Sequence, residues 1–102
     1  MPETRYSSVE MIKKLVSFDT TSRVSNLELI GFVVNHLSAL GVESHLIHDE
    51  SGDKANLYAT IGPRDVPGVV LSGHTDVVPV DGQAWDTNPF EVVEKDDRLF
   101  GR

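Results

Sequence analysis

His74 and Asp76 stand two positions apart in the stretch Leu71-Ser72-Gly73-His74-Thr75-Asp76-Val77-Val78-Pro79, and no other pair in the chain is better suited to chemistry. An imidazole nitrogen can bind a metal, and a carboxylate on the other ring nitrogen fixes the tautomer that leaves the first nitrogen free. The stretch follows an apolar run, Val69-Val70-Leu71, that reads as a buried strand. Positions i and i+2 of a strand share a face, so both side chains are expected to enter one cavity, with Asp76 within reach of the ring. Gly73 permits close approach of backbone or ligand, and Pro79 ends the extended run. A bare His-x-Asp triplet is more often a surface pair; these neighbours are what single it out.

Other reactive side chains carry less. His45 and His48 lie three apart on an expected strand, where odd spacing places them on opposite faces and prevents them sharing an ion. His36 falls inside an expected helix and reads as a flanking or surface residue. Asp96-Asp97 pairs two carboxylates, but in a charged turn between short strands, where they are solvated. Trp85 and Phe90 are expected to pin a long loop to the core rather than to stack on a substrate.

The elements that must position the motif follow from periodicity and caps. Ser7 and Glu10 form a capping box ahead of a helix whose apolar face is Val9, Ile12, Leu15 and Val16. Phe18-Asp19-Thr20-Thr21-Ser22 breaks that period and reads as a loop. A second capping box, Ser25 to Glu28, opens a helix over roughly residues 26–40, closed by Gly41. Val42 to His48 and Ala55 to Ile61 read as strands, and Val69 to Gly73 as a third and central one that delivers the motif at its C-terminal end, where open α/β sheets place ligands. Glu91 to Glu94 and Arg98 to Phe100 flank Lys95-Asp96-Asp97 as a hairpin. The expected fold class is α/β, helices packed on a sheet.

Composition bounds the function. A chain of 102 residues makes at most one small domain, burying about two thirds of its unfolded surface. Nine Lys and Arg against sixteen Asp and Glu give a net charge of −7, which opposes non-specific binding to nucleic acid or anionic lipid. With no cysteine there is neither a disulfide nor a thiolate zinc site. Any metal is then held by imidazole and carboxylate, which suits zinc, cobalt or manganese. No secretory signal opens the chain and no stretch has the length of a membrane span, so the expected location is the cytoplasm.

Ser72-Gly73-His74-Thr75-Asp76-Val77-Val78-Pro79, then Gly82-x-x-Trp85-x-x-x-Pro89-Phe90, then Arg98-Leu99-Phe100-Gly101-Arg102 together resemble the opening part of a family of cocatalytic zinc amidohydrolases. That family contains acetylornithine deacetylase and succinyl-diaminopimelate desuccinylase, and the resemblance is greatest to the former. It extends upstream through Phe18-Asp19-Thr20-Thr21-Ser22-Arg23, Lys54-Ala55-Asn56-Leu57-Tyr58-Ala59 and Ile61-Gly62-Pro63, covering nearly the whole chain.

The resemblance implies that residues 1–102 are the N-terminal portion of a zinc-peptidase-like catalytic domain with a mixed sheet, the rest of that domain and a dimerisation domain lying beyond Arg102. It implies His74 as a metal ligand and Asp76 as the catalytic residue whose carboxylate orients it, in a site holding two Zn²⁺ or Co²⁺ ions. The segment Phe18 to Ser22 would lie near the metal cleft. The implied reaction is removal of the acyl group from an N-acyl amino acid such as N-acetylornithine, giving ornithine and acetate, as in arginine biosynthesis, by a homodimer. The bridging aspartate, the Glu-Glu pair and the late histidine of the family pattern are not among these residues, so the chain alone is expected to be inactive. Two alternatives stand beside this reading: another amidohydrolase of the family (desuccinylase, aminoacylase or dipeptidase), or a non-catalytic peptidase-like scaffold.

Overall fold

The hydroxyl of Ser7 accepts from the Glu10 backbone N–H at 3.1 Å, and the Glu10 carboxylate accepts from the Ser7 N–H at 3.0 Å. This reciprocal pair satisfies two of the donors that a helix start leaves orphaned, and it begins α1 (Ser8–Val16) where the sequence predicts. The computed structural model describes residues 5–102. Loss of the cap in Ser7→Ala should destabilise the chain by about 1 kcal/mol, read as a lower urea midpoint with less helical signal.

Helix α2 (Leu27–Ala39) ends as expected and starts differently. At its C-terminus Gly41 adopts φ +77°, its N–H donates to the Ser38 carbonyl, and the Val42 N–H reaches back to the Leu37 carbonyl. These two bonds make a Schellman cap, which needs a residue without a Cβ penalty at that point. The expected capping box at the other end does not form. Asn26 is the N-cap residue and makes no side-chain cap bond, while the Ser25 hydroxyl accepts from the Leu27 N–H instead of serving Glu28. The Asn26 amide is engaged elsewhere, donating to the Ala55 carbonyl at 2.9 Å and accepting from the Ala55 N–H at 3.0 Å.

That double bond staples α2 to the first sheet. Strands β1 (Ser44–His48) and β2 (Ala55–Ala59) pair antiparallel, His48 opposite Ala55 and Ser44 opposite Ala59. Leu29 and Ile30 of α2 meet Ala55 in the core, with Leu15, Phe18, Leu27, Val33, Val34 and Leu57 packed around them. Near the start of the chain Phe32, Phe18, Tyr6 and His36 form an aromatic cluster, with the Lys14 ammonium over the Phe18 and Phe32 rings at 5.2 and 5.4 Å. His36 stacks on Phe32, so it is a packing residue.

The hairpin of β3 (Val93–Lys95) and β4 (Arg98–Phe100) turns through Asp96 and Asp97, at φ +53° and +59°. Two left-handed residues are what a two-residue type I′ turn demands, and aspartate tolerates that region. The pair is therefore a turn, as expected from the sequence. Gly101 passes α1 so closely that a Cβ there would meet the Val16 methyl at 3.0 Å.

Helices with small sheets place the chain in the α/β class, but one expected element is absent. Val69 to Gly73 forms no strand, and Val69, Val70 and Leu71 are 88, 77 and 93% exposed. An apolar run becomes a central strand only if other strands flank it, and among the described residues no strand pairs with it. The expected mixed sheet is correspondingly reduced to two antiparallel pairs and one isolated parallel bridge between Thr21 and Val77. The result is open: the radius of gyration is 15.7 Å, against about 13 Å for a compact domain of this length. Among the described residues no helix is long and apolar enough to cross a membrane.

Candidate functional site

The parallel bridge holds the motif in place instead of a strand. The Val77 N–H donates to the Thr20 carbonyl at 3.1 Å, and the Ser22 N–H donates to the Val77 carbonyl at 3.0 Å. Thr20 adds a side-chain bond, its hydroxyl donating to the Thr75 carbonyl at 2.5 Å. Asp19 shapes the loop by accepting from both the N–H and the hydroxyl of Thr21. Thr20 and Thr21 are almost completely buried, so residues 19–22 form a fixed shelf on which Thr75 to Val77 lie.

On that shelf His74 and Asp76 do meet. Nδ1 of His74 lies 2.9 Å from Oδ1 of Asp76 and 3.0 Å from the Asp76 carbonyl oxygen. Both oxygens accept and neither can donate while the carboxyl is ionised, so Nδ1 carries a proton, and in the neutral ring the lone pair is on Nε2. The imidazole is 83% exposed and the carboxylate 59%, so the free nitrogen faces solvent rather than the core. The i, i+2 geometry expected of a strand is thus realised on an extended loop. The hydrogen bond from His74, followed by one from the Ser22 hydroxyl at 3.2 Å, holds the Asp76 carboxyl below the usual carboxylate range. It is therefore ionised at neutral pH, as the tautomer argument needs.

Further contacts brace the shelf. Arg23 pairs with Asp81 at 2.9 Å, tying it to the chain after Pro79, and the Lys54 ammonium donates to the Ser22 carbonyl. Trp85 is half-buried, its Nε1–H donating to Gln83 and its ring lying under the Arg102 guanidinium at 5.2 Å. These partners lie in its own loop and at Arg102, not in the core to which it was expected to pin that loop. His45 and His48 are exposed on β1, and His45 lies near Arg64. The open groove of about 650 Å³ beside the apolar run is lined by His45, Tyr58, Arg64 and Val69 to Leu71, among others, and does not include His74 or Asp76.

A metal must be judged on these donors. The imidazole is correctly presented for one, and this chain itself offers no thiolate. Among the described residues, however, no three His, Cys, Asp or Glu side chains gather closely enough to share an ion. The chain thus presents one ligand and the acid that orients it, which is less than a tetrahedral site requires.

Several carboxylates here are stabilised in their charged form, and this gives a pH dependence. Asp19 is lowered by its Thr21 bonds, Asp81 by its Arg23 bond, and Glu10 by its Ser7 bonds. A group whose folded pKa is depressed contributes stability above its unfolded value and loses it as pH falls through the folded one. Starting from ordinary values of 3.8 for aspartate and 4.5 for glutamate, thermal stability should hold through neutral pH and drop below about pH 4. High salt should weaken the Arg23–Asp81 share and spare the Ser7 and Thr21 shares. Melting curves across pH at two salt concentrations check both statements.

Sequence reasoning expected the His74–Asp76 pair and missed the contacts that Thr20 and Ser22 make with Thr75, Asp76 and Val77. The available signal was a run of hydroxyl residues interrupting a helical period, which in isolation marks only a loop.

No family model matches the chain. Curated relatives do. It is 39% identical to the acetylornithine deacetylase of Pasteurella multocida (strain Pm70), over 93% of this chain and 26% of that protein. It is 34% identical to the acetylornithine deacetylase of Photorhabdus laumondii, over 91% of this chain and 26% of that protein. Identity is also 34% to the succinyl-diaminopimelate desuccinylase of Ehrlichia canis (strain Jake), over 92% of this chain and 25% of that protein. The chain spans about a quarter of the length of these relatives. Along about nine tenths of its residues the chain is thus similar to acetylornithine deacetylases and to a succinyl-diaminopimelate desuccinylase, matching about a quarter of each.

Proposed function

We propose that this chain forms one corner of the active site of a metal-dependent amidohydrolase that removes the acyl group from an N-acyl amino acid, with N-acetylornithine as the favoured substrate. The observation that carries the reading is the His74 imidazole with Nδ1–H engaged by Asp76 and Nε2 open to solvent. The reaction class and substrate come from the relatives, four of which are acetylornithine deacetylases.

In this reading Nε2 of His74 is a ligand to one of two zinc or cobalt ions, and the remaining ligands come from outside the residues described. When bound, such ions would polarise the acyl carbonyl and lower the pKa of a water molecule there. The chain's own residues supply orientation. Asp76 accepts from Nδ1–H and so favours the neutral tautomer whose Nε2 carries the lone pair. The shelf at residues 19–22 holds both against thermal reorientation, which exposed side chains would otherwise undergo. Hydrolysis adds water across the amide and releases acetate and ornithine, the acyl carbon taking the hydroxyl and the amine taking the proton. The active protein is proposed to be a cytoplasmic homodimer, dimerising through a further domain, and this chain alone to bind metal weakly and turn nothing over.

A chimera tests the proposal. This chain is placed in the P. multocida enzyme in exchange for the segment it matches, and circular dichroism establishes that the product folds. The folded chimera should hydrolyse N-acetylornithine with added cobalt or zinc, and His74→Ala within it should abolish turnover. Turnover of N-succinyl-diaminopimelate in preference would transfer the substrate assignment to the desuccinylases, a reading favoured by the 34% identity to the E. canis protein. Activity surviving His74→Ala would remove the basis of the proposal.

A further inference from the structure

The His74–Asp76 pair is exposed, and packing therefore does not orient it; hydrogen bonds must. Asp76 has two carboxylate oxygens, and the structure assigns a partner to each. Oδ1 meets Nδ1 of His74 at 2.9 Å, and Oδ2 lies 3.2 Å from the Ser22 hydroxyl. With both oxygens engaged, the carboxylate is fixed about its last torsion, and Oδ1 is held toward the ring. Resting on the functional reading above, we propose that Ser22 is a positioning residue for this corner, acting through Asp76 to hold His74 in the tautomer whose Nε2 is free.

Ser22 can do this because its own place is determined. Its N–H donates to the Val77 carbonyl, and its carbonyl accepts from the Lys54 ammonium. The buried Thr20 grips the same segment through Thr75 and Val77. The hydroxyl has a single proton and two acceptors in range, Oδ2 of Asp76 at 3.2 Å and the Val77 carbonyl at 3.1 Å. The Val77 carbonyl already accepts from the Ser22 N–H, and an ionised carboxylate is the stronger acceptor, so the proton goes to Asp76. Removing the hydroxyl leaves Oδ2 to water and frees the torsion. His74 then retains only the neutral Asp76 carbonyl as a steady acceptor for Nδ1–H, and the Nε2–H form rises at the expense of the ligating one.

The test is ¹⁵N NMR of the imidazoles in the 102-residue chain, at about pH 8.5 where neutral rings prevail. His74→Gln assigns the resonances. The native chain should show His74 with its proton on Nδ1. Ser22→Ala should raise the Nε2–H population roughly threefold or more, the effect expected from part of one charge-assisted bond. Ser22→Thr, which restores a hydroxyl, should return it toward the native value. A merely structural role would change amide dispersion without a selective change at His74. Should Ser22→Ala fail to fold, Ser22→Cys, of similar size with a weak donor, is read by the same criterion. An unchanged tautomer in the folded variant, with Nδ1–H retained in the native chain, overturns the role of Ser22 and leaves the His74–Asp76 reading standing. A native chain without Nδ1–H overturns both.

Discussion

Replacing Ile30 by alanine should destabilise the chain by about 2–5 kcal/mol, because it removes three methyl or methylene groups from a site with little room to collapse. Only Leu29, Ile30 and Ala55 are buried hydrophobics among the described residues, with Leu29 and Ile30 each 5% exposed. Domains of this size have roughly 5–15 kcal/mol in total, and so small a core argues for the lower end. The variant should therefore be partly unfolded at room temperature. Urea unfolding followed by circular dichroism reads this as a large fall in midpoint with little change in slope. Ile61→Ala, at an 82% exposed position, is the control, and should move stability by less than about 0.5 kcal/mol. Equal effects at positions 30 and 61 would mean that α2 is not packed on β2.

Asn26→Ala should cost about 2–3 kcal/mol, more than an ordinary capping substitution. The Asn26 side chain meets both the N–H and the carbonyl of Ala55, a residue only 4% exposed. Truncation leaves two backbone groups without partners, and each buried unsatisfied group costs about 1–3 kcal/mol before water relieves part of it. Asn26→Asp discriminates the cause. Aspartate can still accept from the Ala55 N–H, but it has no donor for the carbonyl and sets a carboxylate beside it. If the pair of bonds is what matters, Asn26→Asp should be as harmful as alanine or worse. A cap role alone predicts the reverse, since aspartate is as good an N-cap as asparagine.

Those two residues also show where sequence reading succeeds and where it stops. Local signals were legible: the Ser7–Glu10 box, Gly41 at the helix end, the turn at Asp96-Asp97 and the i, i+2 relation of His74 to Asp76 all depend on neighbours within a few positions. Ser25-Asn26-Leu27-Glu28 has the letters of a capping box, yet a partner 29 residues away claims the Asn26 amide. Val69-Val70-Leu71 has the letters of a buried strand, yet burial belongs to the pairing and not to the run. Thr20 and Ser22 acquire their roles from Thr75, Asp76 and Val77, more than fifty positions on, and no local pattern encodes such a contact.

That last separation has a kinetic meaning. The bonds that build the corner join residues 54 to 57 positions apart, whereas the helices and hairpins close within their own spans. Long closures form late, because chain entropy is lost before the contact repays it. They also open early when few bonds guard them. The amide protons of Ser22 and Val77 should accordingly exchange with solvent sooner than those of α2. Mild denaturant should release the imidazole from its fixed orientation while helical signal is still intact, so that a weakening anywhere in the scaffold registers first at the reactive corner.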